Sequence, residues 1–212
     1  MDALTLYVDG FWISPFALSA FVALEEKGLP YTVKEVALNK KEHHRADYRA
    51  HTGRVPALQH GDYWLAESSA ICEYLAEAFP FPKYPRIFPE DLKQRGICRE
   101  VQAWLRSDLT PIYDERSTHT IWYEETRHPL SPKGAASADR LVSVANRLIP
   151  DGRTTLFEAW CIADTDLGMM LQRLNLNGDP LPKKLQDYAE AQWNRPSMRK
   201  WSERSRPPYE AY

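Results

Sequence analysis

Residues 80–89 read PFPKYPRIFP, with prolines at 80, 82, 85 and 89. Proline has no N–H to contribute to a helix or a ladder, and it restricts the residue before it, so a run this dense forms neither. The chain must therefore fold as one part before the run and another after it. The spacing predicts domains at 1–80 and 92–212, joined by an extended linker over 81–91.

The first part alternates between two periods. ALTLYVD carries Leu4, Leu6 and Val8 at every second position, a strand pattern. PFALSAFVALEEKG then places apolar residues at helical spacing and closes on Lys27-Gly28, a C-terminal signal. YTVKEVAL reads as a second strand and KEHHRADYRA as a polar short helix or irregular segment. VPALQ and YWLA flank His60-Gly61-Asp62 as a hairpin, and ESSAICEYLAEAF closes this part as a helix. The order βαβαββα predicts a small mixed sheet with helices on both faces.

Strand signals fade after the linker. A long helix is expected over DLKQRGICREVQAWLRSDLTPIYDERS, bent where Pro111 removes an internal hydrogen bond. A second starts at Ser131-Pro132, and IADTDLGMMLQRLNL, LPKKLQDYAEAQWN and RPSMRKWSER supply three more. Residues 117–130 lack periodicity and read as an aromatic loop. The expected architecture is α/β first and all-α second.

Charge and cysteine usage exclude several functions. A net charge of −2 over 212 residues, with no concentrated basic run, argues against a nucleic-acid partner. No stretch reaches the apolar length of a membrane span, and the start lacks the basic residues and unbroken apolar core of a signal peptide. Cys72, Cys98 and Cys161 are odd in number and far apart, the usage of reduced thiols in a cytoplasmic protein. No Cys or His pair has a zinc-type partner pair, so no metal is expected; His43-His44 with His51 reads as a solvated segment.

Three dipeptides stand at junctions between elements. Ser14-Pro15 opens the first helix, where serine caps and proline is tolerated. Val55-Pro56 precedes a strand, where a cis bond would redirect the chain and expose the backbone of Val55. Glu67-Ser68 sits at a strand-to-helix turn, where free N–H groups and the helix dipole attract an anion. Taken alone, Ser14 and Ser68 both read as caps.

In this order, followed by a proline linker and helices, the set resembles the cytosolic glutathione transferases over essentially the whole chain. It looks closest to a bacterial branch with serine at the first strand-to-helix turn, with QAWLRSDL and CIADTDL as further points of likeness. The resemblance implies a thioredoxin-like glutathione-binding domain followed by an all-helical domain, with glutathione as co-substrate and no metal. Ser68 and adjacent N–H groups would hold the γ-glutamyl carboxylate and Glu67 its ammonium. Val55, ahead of Pro56, would pair its backbone with the cysteinyl residue, and His43 would meet the glycine carboxylate. Ser14 would donate to the thiolate, with Tyr7 and Trp12 ranked below it as donor or lid.

An electrophile site between the domains would draw on Trp104, Ser107, Tyr113 and Trp122. Arg106 and Arg116 read as surface ion pairs before they read as anion contacts, and Asp164 as a structural helix-start residue. The implied activity is glutathione transfer to hydrophobic electrophiles, extending to organic hydroperoxides, in a cytoplasmic homodimer serving detoxification and oxidative stress. The alternatives are a non-catalytic glutathione-binding scaffold and a glutathione-dependent disulfide reductase; glutathione-dependent isomerisation or dehalogenation ranks below them, because the serine-rich, arginine-containing start of that branch is absent. Without a cysteine at position 14 a protein-based mixed disulfide is unsupported.

Overall fold

The computed structural model describes residues 2–124, 126 and 128–211. These form two compact units: residues up to Ile87 together with those from Glu203 onward, and Phe88–Ser202.

The first unit is built on a four-stranded sheet of order β2-β1-β3-β4. Its elements are β1 (Leu4–Asp9), α1 (Pro15–Lys27), β2 (Tyr31–Val36), β3 (Ala57–His60), β4 (Tyr63–Ala66) and α2 (Ser68–Ala78). β1 runs parallel to β2 and antiparallel to β3, which pairs antiparallel with β4. Leu4, Leu6, Val8 and Leu58 are buried on one face. α1 and α2 pack on one another and against the sheet. α1 ends where Gly28 takes φ 64° and returns its N–H to Glu25 O, a left-handed conformation that glycine adopts without Cβ strain.

The opposite face carries Tyr7, Ala57, Trp64 and Ala66, covered by Tyr48 and Ala50. The Tyr7 ring lies 4.7 Å from Trp64 and 5.6 Å from Tyr48. The helical position between β2 and β3 is filled by two single 3-10 turns, Leu38–Lys40 and Glu42–His44. The reason is local: Ala46, Tyr48 and Ala50 recur at every second position, which does not make a helical stripe. Lys27, buried at the end of α1, donates to Phe79 O and Pro85 O and so ties the linker down.

The second unit is helical: α3 (Leu92–Ser107), α4 (Thr110–Glu115), α5 (His119–Trp122), α6 (Pro132–Leu148), α7 (Ile162–Asn175), α8 (Lys183–Trp193) and α9 (Pro196–Ser202). α7 is buried along most of its length and packs against α3, α6 and α8. The expected long bent helix is in fact two. α3 stops at Ser107, and Pro111 stands in the first turn of α4, where its missing N–H has no partner to lose. The expected loop at 117–130 contains the one-turn α5; positions 125 and 127 of that loop lie outside the described residues.

Candidate functional site

Strand register brings the three dipeptides to one end of the sheet. Tyr7 pairs with Ala57, and Ala57 pairs with Ala66. The segment leaving β1 after Asp9, the Val55-Pro56 step before β3 and the Glu67-Ser68 step after β4 therefore share one edge.

Ser14 is the N-cap of α1, with φ −66° and ψ 117°, and its Oγ accepts from Ala17 N at 3.2 Å. Its backbone N–H donates to Asp9 Oδ1 at 3.0 Å, beside Ile13 N to Asp9 Oδ2 at 2.9 Å. Among the described residues the Ser14 hydroxyl accepts one hydrogen bond and donates none. Its proton is thus available to an acceptor in front of the helix.

Asp9 is the residue that sequence reasoning missed. It is fully buried, and burial pushes its carboxyl above the ordinary aspartate range although the N–H groups of Ile13 and Ser14 work against the rise. Its one sequence signal is an acidic residue where an alternating strand should place a core or solvent position.

The Val55-Pro56 peptide is cis. Among the described residues the Val55 N–H and C=O make no hydrogen bond within the protein. At α2, Glu67 is the N-cap, at φ 69° and ψ 116°, and makes no side-chain capping bond. Ser68 is the first helical residue and buried, so the expectation that it caps the helix is corrected: its position lies inside the helix, and Glu67 takes the cap position without capping. The Glu67 side chain thus leaves the N–H groups of the first turn of α2 unanswered by a cap of its own.

His43 lies in the second 3-10 turn, its ring 3.9 Å from that of His44. Burial lowers its pKa, and the nearby charges of His44, Arg54 and Lys41 lower it further. Arg54, one residue before Val55, is one of the positive charges near His43.

The remaining candidates are engaged elsewhere. The Tyr7 hydroxyl donates to Gln59 Oε1 at 2.9 Å and Trp12 Nε1 to Glu35 Oε1 at 2.7 Å. In the second unit, Trp104 Nε1 donates to Asp108, Ser107 Oγ to Ala103 O and Tyr113 OH to Leu105 O. These three cluster at the end of α3 and the start of α4, whereas Trp122 stacks on Trp193 of α8 with ring centroids 5.0 Å apart. Arg116 is bidentate to Asp179 at 2.5 and 2.7 Å with its side chain only 3% exposed, and Arg106 pairs with Asp166 at 3.1 Å. Arg116 is buried and Arg106, Asp166 and Asp179 are half-buried, so neither pair is the exposed surface pair expected. Asp164 accepts from Leu156 N, Cys161 N and Tyr188 OH at 2.7–2.8 Å, a helix-start anchor inside the core.

Among the described residues no His, Cys, Asp and Glu side chains form a group able to hold a metal ion, and no helix is long and apolar enough to cross a membrane. The three cysteines are free and buried.

A sheet of this order, followed by a helical unit and with those junctions at one sheet end, defines the glutathione S-transferase fold, and the chain belongs to that family. The family model for the glutathione S-transferase N-terminal domain matches residues 13–78, and that for the C-terminal domain matches residues 91–206. The chain is similar to a glutathione transferase homolog from Burkholderia, solved with bound glutathione. Identity is 41% over 95% of this chain and 96% of that one, at a TM-score of 0.78. A theta class glutathione S-transferase from Xanthomonas axonopodis, also solved with glutathione, shares the fold at 22% identity over 97% of this chain and 99% of that one, TM-score 0.72. Among curated relatives, maleylpyruvate isomerase from Ralstonia is 35% identical over 108 residues, 50% of each chain. Glutathione S-transferase U2 from Arabidopsis thaliana is 32% identical over 49% of this chain and 44% of that protein. The chain thus spans about half the length of the curated relatives it matches.

Proposed function

We propose that the protein binds glutathione at this sheet end and uses its sulfur as a nucleophile, with Ser14 stabilising the thiolate. The observation that carries this reading is the Ser14 hydroxyl, which accepts from Ala17 N and keeps its own proton. A free thiol has a pKa of about 8.5, so only a few per cent is ionised at neutral pH. A hydrogen bond to a charged group is worth roughly 1.5–3 kcal/mol, which lowers that pKa by about one to two units.

The rest of the site fits the remaining groups of the tripeptide. The uncapped start of α2, with Ser68, receives the γ-glutamyl carboxylate, and Glu67 receives its ammonium. The N–H and C=O of Val55, ahead of Pro56, pair with the cysteinyl residue as a short ladder. Arg54 and His43 receive the glycine carboxylate, Arg54 as the charge and His43 as a ring N–H donor. The thiol proton passes to solvent, and the sulfur then forms a bond to an electrophilic carbon as the leaving group departs. Attack on a hydroperoxide oxygen, releasing the alcohol, uses the same thiolate. Trp104, Ser107 and Tyr113 are the proposed electrophile contacts, and Trp122, its ring stacked on Trp193, is a further one.

A second reading is favoured by the relatives named maleylpyruvate isomerase and maleylacetoacetate isomerase. Reversible addition of the same thiolate to a conjugated double bond would permit rotation and then release glutathione unchanged. The exposed Tyr63, Phe81, Leu92 and Ile97 support assembly as a homodimer, which sedimentation tests.

Retention on immobilised glutathione, with parallel turnover assays on an aryl halide, an organic hydroperoxide and maleylpyruvate, decides among these. Conjugation is the expected outcome. Turnover of maleylpyruvate alone would make the protein an isomerase, and binding without turnover a scaffold. No retention and no turnover would overturn the proposal.

A further inference from the structure

Residues from Glu203 onward belong to the first unit, although the helices before them belong to the second. They lie against the loop that delivers Ser14. The Arg204 guanidinium sits 3.7 Å from the centroid of the Trp12 ring, which also meets Phe21 edge-on with centroids 6.0 Å apart. Arg204 also stands 3.9 Å from Glu35, the carboxylate that accepts the Trp12 indole N–H. Arg206 sends both Nε and Nη2 to Trp12 O, each at 3.3 Å. Tyr209 packs on Phe11 with centroids 5.2 Å apart, and Asn39 donates to Glu210 at 2.8 Å.

Trp12 needs this support because of its backbone. It is held at φ 55°, in the left-handed region that a bulky side chain rarely occupies without surrounding contacts. That conformation turns the chain so that Ile13 N and Ser14 N both reach the Asp9 carboxylate. The Trp12 N–H returns to Asp9 O at 3.1 Å, while its C=O takes its donors from a residue 194 positions away.

We propose that residues 203–211 are a strap that fixes the Phe11–Ser14 loop, with Arg204 and Arg206 as positioning residues for the Ser14 hydroxyl. The part of this inference that concerns catalysis rests on the role given to Ser14 above. With the strap released, the Trp12 carbonyl loses its fork and the indole loses its cover. The loop then samples other conformations, and Ser14 Oγ meets the bound sulfur only part of the time. Glutathione remains held by Val55, Glu67 and Ser68, so the loss falls on thiol ionisation rather than on binding.

The test compares wild type with Arg204→Gln, Arg206→Gln and the double variant, beside Ser14→Ala. The Arg204 side chain is 44% exposed and Arg206 is half-buried, neither belonging to the buried cores, so these replacements leave the cores intact, and melting temperatures confirm folding. Hydrogen exchange reads the strap directly: protection of the Ile13 and Ser14 amides is expected to fall on the order of tenfold in the double variant. The pKa of bound glutathione, followed by thiolate absorbance, is expected to rise by about one unit, lowering kcat/KM at pH 7 by roughly three- to eightfold with recovery at alkaline pH. KM for glutathione stays near the wild-type value, and Arg206→Lys recovers part of the effect. Unchanged exchange at Ile13 and Ser14 overturns the strap whatever Ser14 does. Faster exchange with a thiol pKa that moves in neither the strap variants nor Ser14→Ala keeps the strap and removes Ser14 from catalysis. A pKa that shifts in Ser14→Ala but not in the strap variants refutes the positioning role.

Discussion

Ser14 has two separable jobs, and substitutions at that one position order them differently. Its Oγ caps Ala17 N at 3.2 Å, and its proton is proposed to meet the sulfur of glutathione. Replacing an N-cap serine by alanine costs about 1 kcal/mol, whereas glycine costs only a few tenths. For a chain of this size 1 kcal/mol is roughly 2–4 °C in melting temperature. Stability should therefore run Ser14→Thr close to wild type, Ser14→Gly slightly lower and Ser14→Ala lowest. The thiol pKa should not follow that order. Thr keeps a hydroxyl and should match wild type; Gly and Ala both lack one, and each should raise the pKa by about one to two units. Turnover at pH 7 would then fall on the order of tenfold or more in both, with most of it regained near the free thiol pKa of about 8.5. The assay is a thiolate titration of bound glutathione beside thermal unfolding of the same samples. A pKa that tracked stability, small for Gly and large for Ala, would show that the helix start acts and the hydroxyl does not. A pKa equal to wild type in both variants would refute the donor role outright.

Three further outcomes are expected. Asp164→Ala leaves Leu156 N, Cys161 N and Tyr188 OH buried without their acceptor, at about 1–3 kcal/mol each; denaturant unfolding should show a loss of roughly 3 kcal/mol or more, and lower turnover at unchanged stability would contradict the anchoring role. Gly168→Ala sets a Cβ 2.7 Å from Gln192 Cβ, so α7 and α8 must part; thermal unfolding should fall by about 1–3 kcal/mol, and no change would refute so close an approach. At Asp9, burial raises the folded pKa above 3.8, so the group favours folding most below about that pH and the contribution fades as pH rises through the folded value. The melting temperature of wild type minus that of Asp9→Asn should fall as pH is raised from 4, and a difference that grows would mean that the bonds from Ile13 and Ser14 outweigh burial.

The parts of the fold that were legible are those with local causes. Ser14-Pro15, Lys27-Gly28 and Ser131-Pro132 mark helix ends because capping needs only groups within a turn of one another. The break between α3 and α4 was less legible, since proline inside a helix and proline in a helix's first turn share one local signature. Neighbouring charges are invisible in a linear reading, which is why Arg116 and Arg106 read as surface pairs although packing buries the first and half-buries the second.

The amino-acid order alone determines that regular structure is interrupted by the proline run over residues 80–89, that one part alternates strand and helix while the other is helical, and that serine rather than cysteine stands at the first turn; that the residues from Glu203 onward return to the first unit is not readable from it. The three readings follow from proline geometry, side-chain periodicity and residue identity, none of which needs a distant partner. Only the tertiary structure decides that Asp9 anchors the Ser14 loop, that Glu67 leaves the start of α2 uncapped, and that Arg204 and Arg206 close over Trp12. A buried carbonyl or a strained φ takes whichever donor the fold brings near, and the one at Trp12 O comes from 194 residues along the chain.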